Sequence, residues 1–320
     1  MTTFLLAGGV LPANLRVVLI ATINGTPEVL VDGVVTKTRI SSGSGGSTST
    51  FTVTGEDLTA LMDFVDTSGI PYPAMPPEAR VELILAKYAL FGVVPRVIPS
   101  LNGVPPNPLD IIPRHQGSDH WYISKLASDA GYVFYLEPGP PLTSIAYWGP
   151  EIRAGVPQPA LNVDMDAETN VESLNFDFQN DARVLPIVMI QDPIFKLPIP
   201  VPLPDINPLS PPLGLIEPIP QRIEKIPSTA KLTMGEAILR GLSKTTHHAD
   251  AVSGTGSLDV LRYGRTLKAR RLVGVRGAGE AFDGLYFVKS VTHNIKRGEY
   301  KQDFTLVRNG LVSTVPRVPS

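Results

Sequence analysis

The sequence predicts an α+β protein that is mainly β. It has helix-bearing β parts, each a small barrel or sandwich with a helix against it, and a small mixed α/β part set between early and later strands. Three observations predict this. Runs that alternate apolar and polar residues recur along the chain, as in Phe51 to Val53 and Leu285 to Ile295. Short amphipathic segments with helix-starting and helix-stopping residues stand between some of them. Finally, 32 Pro and 28 Gly among 320 residues demand many loops and short strands.

The length suits two or three compact units, and a hydrophobic content of 43% supports real cores. Charged residues make up 18%, less than in most disordered chains. A formal net charge of −2 argues against a strong nucleic-acid binder. The absence of cysteine excludes a disulfide framework, a thiolate metal site and a cysteine nucleophile, and fits synthesis in a reducing compartment. No basic residue precedes the apolar Phe4 to Leu6, and Pro12, Asn14 and Arg16 interrupt before Val17 to Ile23, so this is not the pattern of a signal peptide. No window approaches the roughly 18 uninterrupted apolar residues of a membrane span. A soluble protein made in the cytoplasm, without membrane insertion, is expected.

Leu15 to Ile23 reads as a strand, Asn24-Gly25-Thr26-Pro27 as a turn, and Val29 to Ile40 as one or two more strands around Asp32-Gly33. Ser41 to Ser49 is a flexible Gly/Ser connector, because no Gly-Lys-Ser/Thr and no helix follow it as in a phosphate loop. Phe51 to Val53 is a further strand. Thr54 then caps a predicted helix from Gly55 to Asp66, with Asp57 answering the cap and Leu58, Leu61, Met62 and Val65 as the apolar stripe. After the break at Pro71 to Pro77, Glu78 to Leu90 is a second helix with Val81, Ile84, Leu85 and Tyr88 on one face. Gly92 ends it, and Val93 to Ile98 is a strand. Ser118 starts a third helix, with Asp119 in its first turn, Tyr122, Ile123, Leu126 and Ala130 inward, and Gly131 as its stop. Tyr132 to Leu136 and Thr143 to Trp148 form a hairpin across Pro138 to Pro141.

Asn170 to Gln179 alternates with one shift of register at Glu172-Ser173, which suits a bulge, and Val184 to Ile190 is another strand. From Pro193 to Pro227 proline recurs too closely for a helix or a central strand, since each proline lacks the donor those ladders need. An extended polyproline II path is expected, with its Ile, Leu and Val side chains buried against a neighbour such as another copy of the chain. Thr233 and Glu236 form a capping box for a helix that packs Ala237, Ile238, Leu239 and Leu242 inward. Strands follow at Val252 to Leu261 and Arg270 to Val275. The chain closes on an antiparallel hairpin, Leu285 to Ile295 and Tyr300 to Val307, which reverses at Lys296-Arg297-Gly298-Glu299.

Little in the chain carries chemistry. His115, Asp119 and His120, and likewise His247, His248 and Asp250, lack the HExxH spacing and any cysteine partner, so structural or solvent-exposed roles are expected. His293 is expected to make a cross-strand or interface hydrogen bond. There is no G-x-S-x-G elbow. Asp164, Asp166 and Glu168 lack the glycine turn and closing bidentate Glu of a calcium loop, and read as a solvated loop. Gly274, Gly277 and Gly279 lie between two strands with no helix after them, so they mark a hairpin instead of a phosphate loop. Arg262 to Arg276 carries several Arg and Lys and no acid, a stripe that can neutralise nucleic acid or an acidic protein face. Stacking aromatics are not interleaved with it, and the acidic stretch Asp164 to Asp181 of a neighbouring domain or subunit would match it as well.

Two stretches carry a family resemblance. Residues 115 to 134, His-Gln-Gly-Ser-Asp-His-Trp-Tyr-Ile-Ser-Lys-Leu-Ala-Ser-Asp-Ala-Gly-Tyr-Val-Phe, resemble a Q-x-S-D…L-A…G-x-x-F segment of baseplate hub proteins. These comprise the phage late control protein D family and the N-terminal hub part of type VI secretion VgrG spike proteins. Gly284, Tyr286, Val288, Val291 and His293 through Gly298, Tyr300, Phe304 and Arg308 to Gly310 are similar to the family's final hairpin. The resemblance covers most of the chain.

It implies two tube-like β-barrels, each with a packed helix, plus the small inserted α/β domain. The expected division is residues 1–72 with 155–192 as the first barrel, 73–154 as the inserted domain, 193–227 as the Pro-rich segment and 228–320 as the second barrel. It further implies a homotrimeric, pseudo-six-fold baseplate hub ring that joins a hexameric tail tube to a trimeric spike. The spike is expected to be a separate chain, because the sequence ends at Ser320 soon after the last barrel. Tail tube protein, spike protein and other baseplate or tube-initiator proteins are the expected partners, with no stable nucleic-acid binding. No catalytic, cofactor-binding or metal residue and no cofactor is expected. The alternatives are a tail-associated cell-wall hydrolase, which needs paired carboxylates or a Cys/His pair in a cleft, and a DNA-contacting tail protein. Assembly in the bacterial cytoplasm, into a virion baseplate or injection particle, follows from the same resemblance.

Overall fold

The computed structural model describes residues 15–41, 50–100, 105–191, 198–202, 210–226, 250–315 and 318. Seventeen strands and four α-helices lie among them, so the protein is mainly β. Two compact units divide the chain, Met1–Gly149 and Pro150–Ser320.

The first unit begins with β1 (Arg16–Ile23), β2 (Thr26–Ser41) and β3 (Thr50–Asp57), an antiparallel sheet in that order. Ile23 pairs with Thr26 across a two-residue turn in which Asn24 has φ 48° and Gly25 has φ 80°. Positive φ at both central positions is the type I′ geometry that matches strand twist, which is why Asn-Gly stands there. The expected helix from Gly55 is corrected by this sheet. Strand β3 runs on through Asp57, with Gly33 opposite Asp57 and Val35 opposite Gly55, and only Thr59–Met62 is helical (α1). Glycine favours the strand here because β2 and β3 approach closely: a Cβ on Gly55 would lie 2.7 Å from the Val34 carbonyl oxygen. Thr54, expected as the cap, lies inside β3, and Leu58 stands at the N-cap of α1 without a side-chain bond; Asp57 accepts the Thr59 N–H at 3.0 Å just ahead of it. Leu58 and Met62 are buried as the stripe predicted, but Val65 is exposed.

The α/β part follows the sequence more closely. Pro77–Ala86 forms α2, shorter than expected because a 3-10 turn at Ala89–Phe91 replaces its end and Gly92 stops it at φ 73°. β4 (Val93–Val97), α3 (Asp119–Ala130), β5 (Val133–Pro138) and β6 (Ser144–Gly149) complete it, with sheet order β4-β6-β5. The core joins Val81, Ile84 and Leu85 of α2, Ile123 of α3 and Trp148 of β6 to Val34, Leu58 and Met62. The α/β part therefore shares one core with the strands that precede it. At about 25 cal/mol per Å² of apolar surface removed from water, each of these side chains stabilises the unit by roughly 2 kcal/mol.

The second unit opens with β7 (Gln158–Asn162) and β8 (Ser173–Phe178). Then come β9 (Val184–Gln191), β10 (Pro198–Pro202), β11 (Gly214–Ile216) and β12 (Arg222–Ile226). It ends with β13 (Val252–Asp259), α4 (Val260–Tyr263), β14 (Leu272–Arg276), β15 (Gly284–Lys296), β16 (Glu299–Arg308) and β17 (Leu311–Ser313). Its main sheet has six strands in the order β7-β14-β15-β16-β13-β8. The expectation grouped 155–192 with residues 1–72, whereas β7 pairs with β14 and β8 with β13. Alternation tells which face of a strand is buried and leaves its pairing partner open.

This sheet is curled. Strands β8 and β15 stand three places apart, about 14 Å across a flat sheet. Yet the rings of Phe176 and Tyr286 lie 5.2 Å apart. Asn170 draws the two edges together: its side chain accepts the Asn162 N–H at 2.8 Å and donates to the Ala160 carbonyl at 2.9 Å. Two residues on, the Glu172 N–H reaches the Ser257 carbonyl of β13 at 2.8 Å.

Where it is described, at 198–202 and 210–226, the Pro-rich segment forms strands and departs from the polyproline II path. Strands β10 and β12 flank β9, and β11 pairs with β17. As sheet edges they need no donor on their outer side, so proline is tolerated there. The capping box at Thr233 and Glu236, the helix after it, His247, His248 and most of the Gly/Ser connector lie outside the described residues.

Candidate functional site

The most connected polar cluster of the first unit sits at the start of α3. Ser118 is the N-cap and accepts the Trp121 N–H at 3.1 Å. The next residue, Asp119, is buried and accepts from Thr67 Oγ1 at 3.0 Å, Tyr88 Oη at 2.8 Å and Lys87 Nζ at 3.0 Å. It stands in the first turn of the helix, where N–H groups are unpaired within the helix. His115, also buried, places Nδ1 2.9 Å from Tyr72 Oη and Nε2 3.4 Å from Asp119 Oδ1. Its ring packs against Tyr122 at 4.4 Å. Burial holds the His115 pKa below its ordinary value, against the pull of Asp119. The backbone fixes the same place: His115 N–H donates to the Ile70 carbonyl at 2.8 Å and Tyr72 N–H to the Pro113 carbonyl at 2.9 Å.

Tyr72, His115 and Asp119 stand in a line, but it is no relay, because His115 Nε2 is buried without a hydrogen-bond partner. Its hydroxyl end is buried, and burial pushes the Tyr72 phenol up and away from nucleophilic form. The arrangement locks the entry of α3. His120 turns elsewhere, with Nδ1 2.7 Å from Asp63, a carboxylate that also accepts from Ser118 Oγ. The structure thus separates the two histidines that the sequence sets side by side. Among the described residues no group of three His, Asp or Glu is placed to hold a metal ion.

In the second unit, Asp250 pairs with Arg153, which also meets Glu151 at 2.9 Å and lies 4.9 Å from the Phe287 ring centre. Burial opposes the charge on Arg153, but the two carboxylates outweigh it and raise the pKa. Asp164, Asp166 and Glu168 are exposed around a 3-10 turn. Gly277, at φ 85°, lets the backbone pass: a Cβ would fall 1.9 Å from the Val163 carbonyl oxygen. His293 places Nδ1 2.7 Å from Tyr300 Oη on the facing strand.

Sequence reasoning missed the polar side chains inside the six-stranded sheet. Gln302 and Arg308 are fully buried. The Gln302 amide exchanges both bonds with the Leu267 backbone, at 2.8 and 3.0 Å. The Arg308 guanidinium donates to the carbonyls of Gly310, Asp283 and Ala281 at 2.7, 2.9 and 2.7 Å, and stands 4.5 Å from the Tyr286 ring centre. Burial lowers its pKa. The signal was present: Gln302, Phe304, Leu306 and Arg308 share one period-2 face of β16, and all four are buried.

The surface differs between sheets. On β1 to β3, Leu19, Ile20, Ile40 and Val53 are 50, 50, 55 and 48% exposed. Leu19 and Ile20 are consecutive on β1 and face opposite sides, and Ile40 and Val53 lie at the far end of β2, so apolar surface is left open at both ends of this sheet.

No protein-family model and no curated protein matches the chain. Solved structures do. A tail protein from Neisseria meningitidis MC58 superposes with a TM-score of 0.61 at 14% identity, over 89% of this chain and 82% of that one. The 43 kDa tail protein of prophage MuSo2 from Shewanella oneidensis gives 0.60 at 16% identity, over 94% and 85%. A chain of the half-lidded Francisella PdpA-VgrG complex gives 0.54 at 8% identity, over 97% of this chain and 50% of that one. The resemblance read from residues 115–134 and 284–310 holds at the level of fold: the chain carries the fold of phage tail proteins and of a PdpA-VgrG complex chain.

Proposed function

We propose that the protein is a structural baseplate hub of a contractile tail or injection system. Three copies form a pseudo-six-fold ring that joins a hexameric tail tube to a trimeric spike carried by a separate chain. The observation that carries the reading is the tail-protein fold across 89% and 94% of the chain in two tail proteins. The reading expects two tube-like barrels per copy, which would account for the pseudo-six-fold count; the curled six-stranded sheet fits one of them, and β1 to β3 would be part of the wall of the other. The open apolar surface of β1 to β3 supports an assembly role, since such residues gain free energy only when covered. The reading takes the role as non-enzymatic; among the described residues the Tyr72-His115-Asp119 line is buried and closed to a substrate, which fits it. Tail tube protein and other baseplate or tube-initiator proteins are its partners, and assembly takes place in the bacterial cytoplasm.

Negative-stain microscopy of the purified chain tests this. Three-lobed rings with a central channel that cap tube protein ends are the expected result. Particles without three-fold symmetry that leave tube ends bare would overturn it.

A further inference from the structure

Two sheet edges, one in each unit, are open among the described residues and match each other. In the first unit β1 pairs with β2 only as far as Val34, with a last bond from the Val35 N–H to the Leu15 carbonyl. From Lys37 to Ser41, β2 pairs with β3 alone, so this stretch is a two-stranded arm with a bare edge of backbone N–H and C=O groups. Two strands by themselves are marginally stable in water, and a third steadies them. In the second unit β8 is the last strand of its sheet and pairs only with β13. β7 meets it ahead of Ser173, where the Asn170 N–H reaches the Asn162 carbonyl at 3.1 Å, and no described strand flanks Ser173–Phe178 on that side. The faces of the two edges agree. On the arm, Thr38 and Ile40 of β2 lie beside Val53 and Phe51 of β3, while Lys37 and Arg39 project from the opposite face. On β8, Leu174, Phe176 and Phe178 share the face that packs Phe176 on Tyr286, and Ser173, Asn175 and Asp177 share the other. Lys37, Arg39, Asn175 and Asp177 are exposed. No acid stands between Gly33 and Gly55, and no base between Ala154 and Ala182.

We propose that β2 of one copy adds its Lys37–Ser41 edge to the β8 edge of a second copy, joining the arm to the neighbour's six-stranded sheet. The inference rests on the ring reading above and deepens it: contact between unlike sheets of neighbouring copies alternates the two kinds of barrel around the ring. Such a contact between two different patches of identical chains is heterologous and closes when the rotation per copy divides the circle. Backbone bonds across the seam supply the hold, as in strand addition, and side chains set the choice of partner. With the faces aligned, Lys37 and Arg39 stand on the side of Asp177, and Ile40 and Val53 extend the apolar face of Phe176 and Phe178. A second copy is the occupant because the two edges carry opposite charge. Arm on arm would set like charges side by side, as would β8 on β8. Within one chain the two edges belong to separate sheets.

Cross-linking tests the proposal in the full chain, which has no cysteine of its own. Two single variants, Arg39→Cys and Asp177→Cys, are co-produced and treated with a short bismaleimide. Both sites are exposed, and circular dichroism checks that each variant is folded; if one is not, charge reversal decides. The pair should give a two-chain product at least tenfold above that of either variant alone. By sedimentation, Lys37→Glu with Arg39→Glu should weaken self-association at least tenfold. Adding Asn175→Lys with Asp177→Lys should restore it, because the edges are again complementary. No excess of the two-chain product, or indifference to the reversals, in chains that still form three-copy particles would overturn the proposal and leave the ring reading standing. A chain that stays monomeric throughout would overturn both. With both cysteines in one molecule, a cross-link formed only inside that chain would give the two edges to each other and overturn the proposal as well.

Discussion

The sheet β1-β2-β3 and the six-stranded sheet of the second unit are built from the same kind of alternating sequence and reach opposite ends. In the six-stranded sheet, curling brings Phe176 within 5.2 Å of Tyr286 and buries Val252, Leu258, Phe304 and Leu306 almost fully. The three-stranded sheet buries Ile23 and Val34 and leaves Leu19, Ile20, Ile40 and Val53 about half exposed. Three strands are too few to wrap a core of their own, whereas six with linked edges cover one. One sheet therefore stabilises its own chain, and the other leaves part of its apolar surface open to solvent.

Substitutions that break this contrast differ in size. Arg308→Ala has the largest expected effect, a loss of at least about 3 kcal/mol, because three buried carbonyls lose their donor at once. Arg308→Lys restores only part of it, since an ammonium cannot span the same fork. Urea denaturation followed by Tyr and Trp fluorescence checks both. Asp119→Ala comes next, at about 2 kcal/mol, because it strands the Thr67, Tyr88 and Lys87 donors at the entry to α3. Hydrogen exchange would show the loss first in the α3 and β5 amides of the first unit.

Acid adds a smaller, signed effect on the first unit. His115 has a folded pKa below its ordinary 6.5, so the unfolded chain binds more protons than the folded one between those values. Stability then rises with pH across this window and is lost as pH falls through 6.5. His115→Phe, which keeps the ring packing on Tyr122, flattens that slope between pH 7 and 5 in thermal melts. A slope unchanged in the variant would assign the acid response to other groups. The smallest effect on folding belongs to Leu19→Ser with Ile20→Thr, within about 0.5 kcal/mol because these side chains are already half exposed. The same pair should weaken self-association at least tenfold, which sedimentation measures. A large folding defect with intact association would reverse the contrast between the two sheets.

Local signals made much of the fold legible. Ser118 and Gly131 bounded α3 because capping and left-handed geometry depend on neighbouring residues alone. Asn24-Gly25 and Gly298 marked their turns for the same reason. Gly55 misled because its cost in a helix was set against a strand partner, β2, whose approach is not written in the local run. The pairing of β7 with β14 joins residues more than a hundred positions apart, and the Pro-rich strands depend on β9 as a template. Arg308 and Gln302 were missed because polar residues on an alternating strand read as outward until the curl of the sheet places them inside. Asp119 was visible as a first-turn acid, but its part in ordering Thr67, Lys87 and Tyr88 needed the fold.

The proposed three-copy ring, with the open side chains of β1 to β3 at its contacts, is tested most directly by native mass spectrometry at low salt. The account predicts a species of about three times the 34.4 kDa chain mass, lost in the Leu19→Ser, Ile20→Thr variant. A chain that remains at 34.4 kDa at every concentration, with its apolar sheet still open to solvent, would contradict it.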